Sequence, residues 1–231
     1  MCGRFTQKTP ASELAEAFDL SDQPEELGPR YNIAPSQPVL VVTNRAGPRR
    51  AEVMRWGLVP YWAKDPAIGN QLANARSESL ADKPSFRQAY QRRRGLLLMD
   101  GFYEWQTVGK TKVPHHFGLP SGKPLAVAAL WEAWQPPGAP DQLLHSVTLV
   151  TTAPNPTVAA LHDRMAVILP RAAWPLWLSP EALPAEALQP LLVPYDGELA
   201  VTRVSTYVNV AGREGPQCLA PATGMRQGSL F

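Results

Sequence analysis

Pro38-Val39-Leu40-Val41-Val42-Thr43 is an apolar, β-branched run, and Ala51-Glu52-Val53-Met54-Arg55-Trp56-Gly57-Leu58 follows it. The first reads as a buried strand and the second as its neighbour. Further strands are expected at residues 125–131, 146–152, 165–169 and 199–205, and residues 96–105 begin as one. Helices are fewer and shorter. Thr9-Pro10 reads as an N-cap and first-turn proline, and Leu14 and Phe18 recur at helical spacing, so residues 10–20 form a short amphipathic helix. Residues 85–93, 171–178 and 180–189 read as short helices marked by proline, and the acidic stretch 21–30 as a loop. Strands outnumber helices, no regular βαβα alternation appears, and Gly-rich phosphate fingerprints are absent. The expected fold is α+β: a curved, largely antiparallel sheet with an open barrel-like core and short peripheral helices, in a single domain.

The chain holds 25 prolines in 231 residues, roughly double the average usage of ~5%. Proline breaks helices and is excluded from central strands, so short elements and many ordered loops are expected. Two distant cysteines, Cys2 and Cys218, do not make a disulfide framework and suggest a reducing compartment. The start of the chain lacks the apolar run of a signal peptide, and no apolar stretch reaches membrane-spanning length. A cytoplasmic protein without membrane contact follows as the expectation. No ligand spacing resembles a zinc site, and His115-His116, with no cysteine nearby, reads as a surface turn. Neither a metal nor any other cofactor is expected.

Charge is uneven. Residues 45–94 hold eleven arginines and lysines against four acids, a net +7, while the rest of the chain carries −5. Such a split suggests a basic face for a polyanion. The competing reading is a solvated loop and helix surface, for Arg92-Arg93-Arg94 in particular.

Four groups stand where chemistry is possible. Cys2 follows the initiator methionine directly. Trimming of that methionine would leave an α-amine and a thiol on adjacent carbons, and an α-amine titrates at about 7.7–8.0 against about 10.4 for lysine. Asn74 lies in the polar cluster Leu72-Ala73-Asn74-Ala75-Arg76-Ser77-Glu78. Glu104 is bracketed by aromatics in Gly101-Phe102-Tyr103-Glu104-Trp105, where desolvation would raise its pKa and fit it for proton transfer. His162 stands beside Asp163 and Arg164. Three also have a bland reading: Cys2 as an ordinary second residue, Glu104 as a solvent-facing glutamate on an alternating strand, and His162 in a capped turn.

In order along the chain, six stretches combine: Met1-Cys2-Gly3-Arg4, Arg30-Tyr31-Asn32-Ile33-Ala34-Pro35, Arg55-Trp56-Gly57-Leu58-Val59-Pro60-Tyr61-Trp62, Asn74-Ala75-Arg76-Ser77-Glu78, Gly101-Phe102-Tyr103-Glu104-Trp105 and His162-Asp163-Arg164-Met165. Together they resemble the SOS response-associated peptidase family, whose members crosslink to abasic sites in single-stranded DNA. The resemblance implies a domain over residues 1–215, followed by a C-terminal tail over 216–231. It implies Cys2 as a nucleophile acting through amine and thiol, Asn74 as an orienting residue, Glu104 as a proton shuttle and His162 as a partner of the opened sugar. It implies Arg4, Arg76 and Arg164 as phosphate contacts, Tyr61 and Trp62 as a base-stacking loop, and Asn32 and Pro35 as shaping the pocket on the DNA-binding side. Lys83-Pro84-Ser85-Phe86 departs from the family pattern. The partner implied is single-stranded DNA with abasic sites, bound by a monomer at the nucleoid during DNA damage. Two alternatives stand beside it. One is an N-terminal-nucleophile amidohydrolase of the glutamine amidotransferase kind, which also begins Met-Cys-Gly. The other is a non-covalent single-strand binder.

Overall fold

The computed structural model describes residues 2–139 and 141–222. The two β-branched stretches pair as β3 (Pro38–Thr43) and β4 (Ala51–Trp56), antiparallel, with Val39 opposite Met54. β3 also pairs with β6 (Arg94–Met99), β6 with β9 (Leu125–Trp134), and β9 with β10 (Leu144–Thr152). β10 then returns to β4 in parallel. These five strands close on themselves, so the core expected as open is a shut barrel. Closure removes the free edges an open sheet would leave.

Strand alternation sorts the apolar side chains into two cores. Val39, Val41, Met54, Trp56, Leu97, Val127, Val147 and Leu149 face inward. Leu40, Val42, Leu96, Leu98, Ala128 and Val150 face outward, under a coat of short helices. That coat is α1 (Ala11–Ala17), α2 (Arg87–Arg92), α4 (Trp174–Trp177) and α5 (Ala185–Leu188), which bury Leu14, Tyr90, Trp174, Trp177 and Leu188. A second sheet runs in the order β12 (Ala200–Arg203), β8 (Thr111–Gly118), β7 (Gly101–Val108), β1 (Phe5–Gln7), β2 (Arg30–Ile33). Its Phe5, Ile33, Phe102 and Phe117 join the inner core of the barrel. Beyond the barrel, the far half of β10 is flanked by β5 (Asn74–Arg76), in parallel, and by β11 (Met165–Ala166), with α3 (Pro156–Ala159) in the connection.

Several expectations are corrected. Residues 96–105 are two strands in different sheets, broken at Asp100, whose carboxylate accepts the Lys8 and Thr9 N–H groups and the Thr9 hydroxyl. Thr9 is thereby taken from the helix it was expected to cap, and α1 starts after Pro10 with no side-chain cap. His115-His116 is no surface turn: both lie in β8, and His115 is buried. The inward positions of β8 are Val113, His115 and Phe117, so a histidine interrupts the apolar alternation that would have marked the strand. The tail expected from residue 216 is packed at its start, where Cys218 and Leu219 join Tyr103 and Val208. Residues 223–231 lie outside the described residues. Among the described residues no helix is long and apolar enough to cross a membrane.

The basic stretch is partly neutralised from elsewhere. Arg49 pairs with Asp19, Arg50 with Asp22 and Arg93 with Glu132, all acids outside residues 45–94. Arg45 takes Glu52. Arg94 is wholly buried, and its five N–H groups donate to the carbonyls of Tyr90, Gln91, Trp177, Ser179 and Glu181. It stitches α2 to the loop after α4. Arg94→Met should strand several of these carbonyls, each worth about 1–3 kcal/mol when left unsatisfied. A loss of about 3 kcal/mol or more would lower the melting temperature by roughly 6–12 °C for a chain this size. A thermal melt within about 2 °C of wild type would contradict that role.

Candidate active site

The start of the chain is laid against β7. Phe5 lies opposite Phe102, and the Arg4 carbonyl accepts the Tyr103 N–H at 2.9 Å. This brings Cys2 to Glu104. Cys2 is fully buried within the inner core, and its thiol lies 4.0 Å from the Arg4 carbonyl. Burial first, and then the nearby Glu104 carboxylate, push the thiol well above its ordinary value. The thiol is therefore protonated at neutral pH, a weak nucleophile until a base takes its proton.

Glu104 points inward between two aromatic neighbours and is 2% exposed. Burial pushes its carboxyl up to about 7. Acid and base forms are then both present near neutrality, the condition for two-way proton transfer. His115 stands directly opposite it on β8. His162 Nε2 lies 4.0 Å from Glu104 Oε2, too long for a hydrogen bond but a gap a substrate hydroxyl would bridge. The Arg164 backbone N–H lies 2.9 Å and the Asp163 carboxylate 3.0 Å from His162 Nδ1, which leaves Nε2 facing Glu104. Burial lowers the pKa of His162, so the ring is neutral at neutral pH.

Asn74 enters from β5, opposite Leu149 of β10 and so on the inward face. The strand is pinned there by the Trp56 indole, which donates to the Ala73 carbonyl at 2.8 Å. Asn74 Oδ1 is buried and has no hydrogen-bond partner among the described residues. Buried acceptors are rarely left so, and this one is set to receive a donor from a ligand or from the chain start.

The family described as SOS response associated peptidase (SRAP) matches residues 1–211. The chain belongs to this family. It is 41% identical over 225 residues to the abasic site processing protein YoqW of Bacillus subtilis, covering 95% of this chain and 99% of that one. It is 31% identical to the abasic site processing protein HMCES of Gallus gallus, covering 96% of this chain and 78% of that one. In fold it is similar to a crystal structure of a Bacteroides thetaiotaomicron protein, at TM-score 0.86 and 19% identity, covering 96% of this chain and 100% of that one.

Around this SRAP site the arginines differ in freedom. Arg4 is half-buried, donating to Asn32 Oδ1 at 2.7 Å and to the Val208 carbonyl at 3.0 Å. Asn32 is fully buried, and its amide donates to the carbonyls of Val208, Val210 and Arg213. Its side chain is bonded from within, and its Oδ1 braces the Arg4 guanidinium. Arg76 is exposed at the end of β5. Arg164 grips Glu78 through both guanidinium nitrogens, at 2.7 and 2.9 Å, and also donates to the Thr151 carbonyl. Pro35 is half-buried in the turn after β2.

Tyr61 and Trp62 are 57% and 47% exposed. Their loop is held from beneath, where the Trp134 indole donates to the Ala63 carbonyl and the Ser146 hydroxyl accepts the Val59 N–H. The buried Glu132 carboxylate accepts the Tyr61 N–H as well as the Arg93 guanidinium. Glu132 is not singled out in the sequence and His115 reads there as part of a turn; both are buried polar groups on largely apolar strands, and that break in the apolar pattern is their only local signal.

Proposed function

We propose that this SRAP protein captures abasic sites in single-stranded DNA covalently, through Cys2 after loss of Met1. The observation that supports it most is the meeting of buried Cys2, buried Glu104 and His162, whose Nε2 lies 4.0 Å from Glu104 Oε2. The freed α-amine attacks C1′ of the opened sugar, because the thiol is held protonated. Loss of water gives an imine. Glu104, protonated, supplies the proton that carries the water away. Its carboxylate form then takes the thiol proton as sulfur adds to the imine carbon, closing a thiazolidine. The net change is one water lost. Closure removes the electron sink that would drive β-elimination, so the strand stays intact; imine that escapes closure is the source of a slow lyase side reaction. His162 Nε2–H donates to the sugar hydroxyl released on ring opening, and Asn74 Oδ1 accepts from the attacking amine. Release of Met1 is the work of this same site or of a general aminopeptidase.

The decisive experiment mixes the protein with an abasic and an undamaged single strand and runs the products under denaturing conditions, beside a glutaminase assay. A denaturant-resistant band with the abasic strand alone supports the proposal. Glutaminase turnover without a band would favour an amidohydrolase, and equal reversible binding of both strands a simple binder.

Contacts with DNA are to backbone and base faces, made by a monomer. Arg4, Arg76 and Arg164 meet phosphates, which fixes register without reading sequence. Tyr61 and Trp62 stack on bases, worth about 1–3 kcal/mol per base. Trp62→Ala is therefore expected to weaken single-strand binding about 5- to 100-fold by fluorescence anisotropy, while the adduct formed at saturating DNA remains. Unchanged affinity would remove the loop from the interface.

A further inference from the structure

Arg164 offers the planar two-nitrogen fork that suits a phosphodiester, yet in the free protein that fork is already filled. Glu78 holds it with both carboxylate oxygens, at 2.7 and 2.9 Å. The Arg164 side chain is 13% exposed and that of Glu78 is 55% exposed, so the glutamate lies on the solvent side of the fork. A phosphate must arrive from that side. Glu78 follows Arg76 by two residues on the same turn, and Arg76 lies opposite Thr151, whose carbonyl Arg164 also holds. Arg76 and Arg164 thus meet the same residue of β10, one by strand register and one by hydrogen bond, with the Glu78 carboxylate engaged by Arg164.

We infer that Glu78 is an internal stand-in for the DNA phosphate, and that its displacement from Arg164 sets how tightly undamaged strands are held. This rests on the reading of Arg164 as a phosphate contact. A phosphodiester offers the fork two oxygens in the same planar geometry, so the exchange replaces one two-oxygen pairing by another. Once displaced, the carboxylate stays on the same short turn and repels the phosphate that replaced it. Reversible binding of any strand is thereby loosened. Retention passes to the covalent step, which only an abasic sugar can take.

The test is a double-mutant cycle on a fluorescein-labelled, undamaged single strand, read by anisotropy across a salt series, with crosslinking to an abasic strand measured alongside. Glu78→Gln should bind about two- to fivefold tighter than wild type, the span of a pair open to solvent on its glutamate side. Its salt dependence should steepen by up to about 0.7 in log–log slope, one phosphate's share on a single strand. In an Arg164→Gln background the same substitution should give no gain. Glu78→Gln binding no tighter than wild type, or a gain that persists without Arg164, overturns the inference. Glu78→Ala repeats the test should the glutamine variant fold poorly. A wild-type protein that forms no adduct would sink the proposed function and leave this cycle interpretable by itself.

Discussion

Cys2→Ala is expected to reduce the denaturant-resistant adduct to background. The variant keeps an α-amine, so it still forms an imine with the abasic aldehyde. With no thiol to intercept it, that imine retains its electron sink and drives β-elimination. Strand scission should therefore rise as the stable adduct disappears, and borohydride should trap a transient species that wild type passes through quickly. Cys2 is also fully buried, so a smaller side chain there costs packing as well, and a melt should accompany the assay. Stable crosslinking by Cys2→Ala at the wild-type level would end the thiazolidine mechanism.

Glu104→Gln carries the second large effect. General acid–base assistance is worth about 10²–10⁴ in rate, and the glutamine can neither give nor take the proton. The wild-type rate should vary around pH 7, where burial has moved the Glu104 carboxyl. The slow residual rate of the variant should lose that inflection and keep only the rise of the α-amine near pH 8. Stability should move the other way. A carboxyl raised to about 7 when folded but ordinary when unfolded costs the fold nothing below about 4.5. The penalty grows as pH rises and is complete above about 7. Glu104→Gln should thus melt a few degrees above wild type at pH 8 and close to it at pH 5. A variant that crosslinks at the wild-type rate, with the same pH profile, would remove Glu104 from the chemistry.

What was legible in the sequence follows from how local each signal is. The strand at 38–43 announces itself through an apolar, β-branched run, and the one at 51–56 through its place beside that run, signals that lie within a few residues. β5 is three residues long and polar, and β8 carries a buried histidine on its inward face, so neither has a pattern to read. Barrel closure rests on β10 pairing with β4 and β9, and no local signal specifies the parallel partner 91 residues away at Arg55. Glu104 was legible because aromatic neighbours imply desolvation, and Cys2 because of its position. The arginines show the opposite limit. Their charge is plain in sequence, but the acids that offset part of it, Asp19, Asp22 and Glu132, lie outside the stretch and meet it only in the fold. Asn32 reads in sequence as shaping the pocket, and the bond it accepts from Arg4 cannot be seen there because the two residues lie 28 apart.

Intact mass spectrometry of the purified protein, alone and after mixing with an abasic single-stranded oligonucleotide, tests the central claim most directly. The account predicts a chain lacking its first methionine and, after mixing, a one-to-one species at the sum of protein and oligonucleotide less one water. An adduct on protein that still carries Met1, or a trimmed protein that stays free in the presence of excess abasic strand, would contradict it.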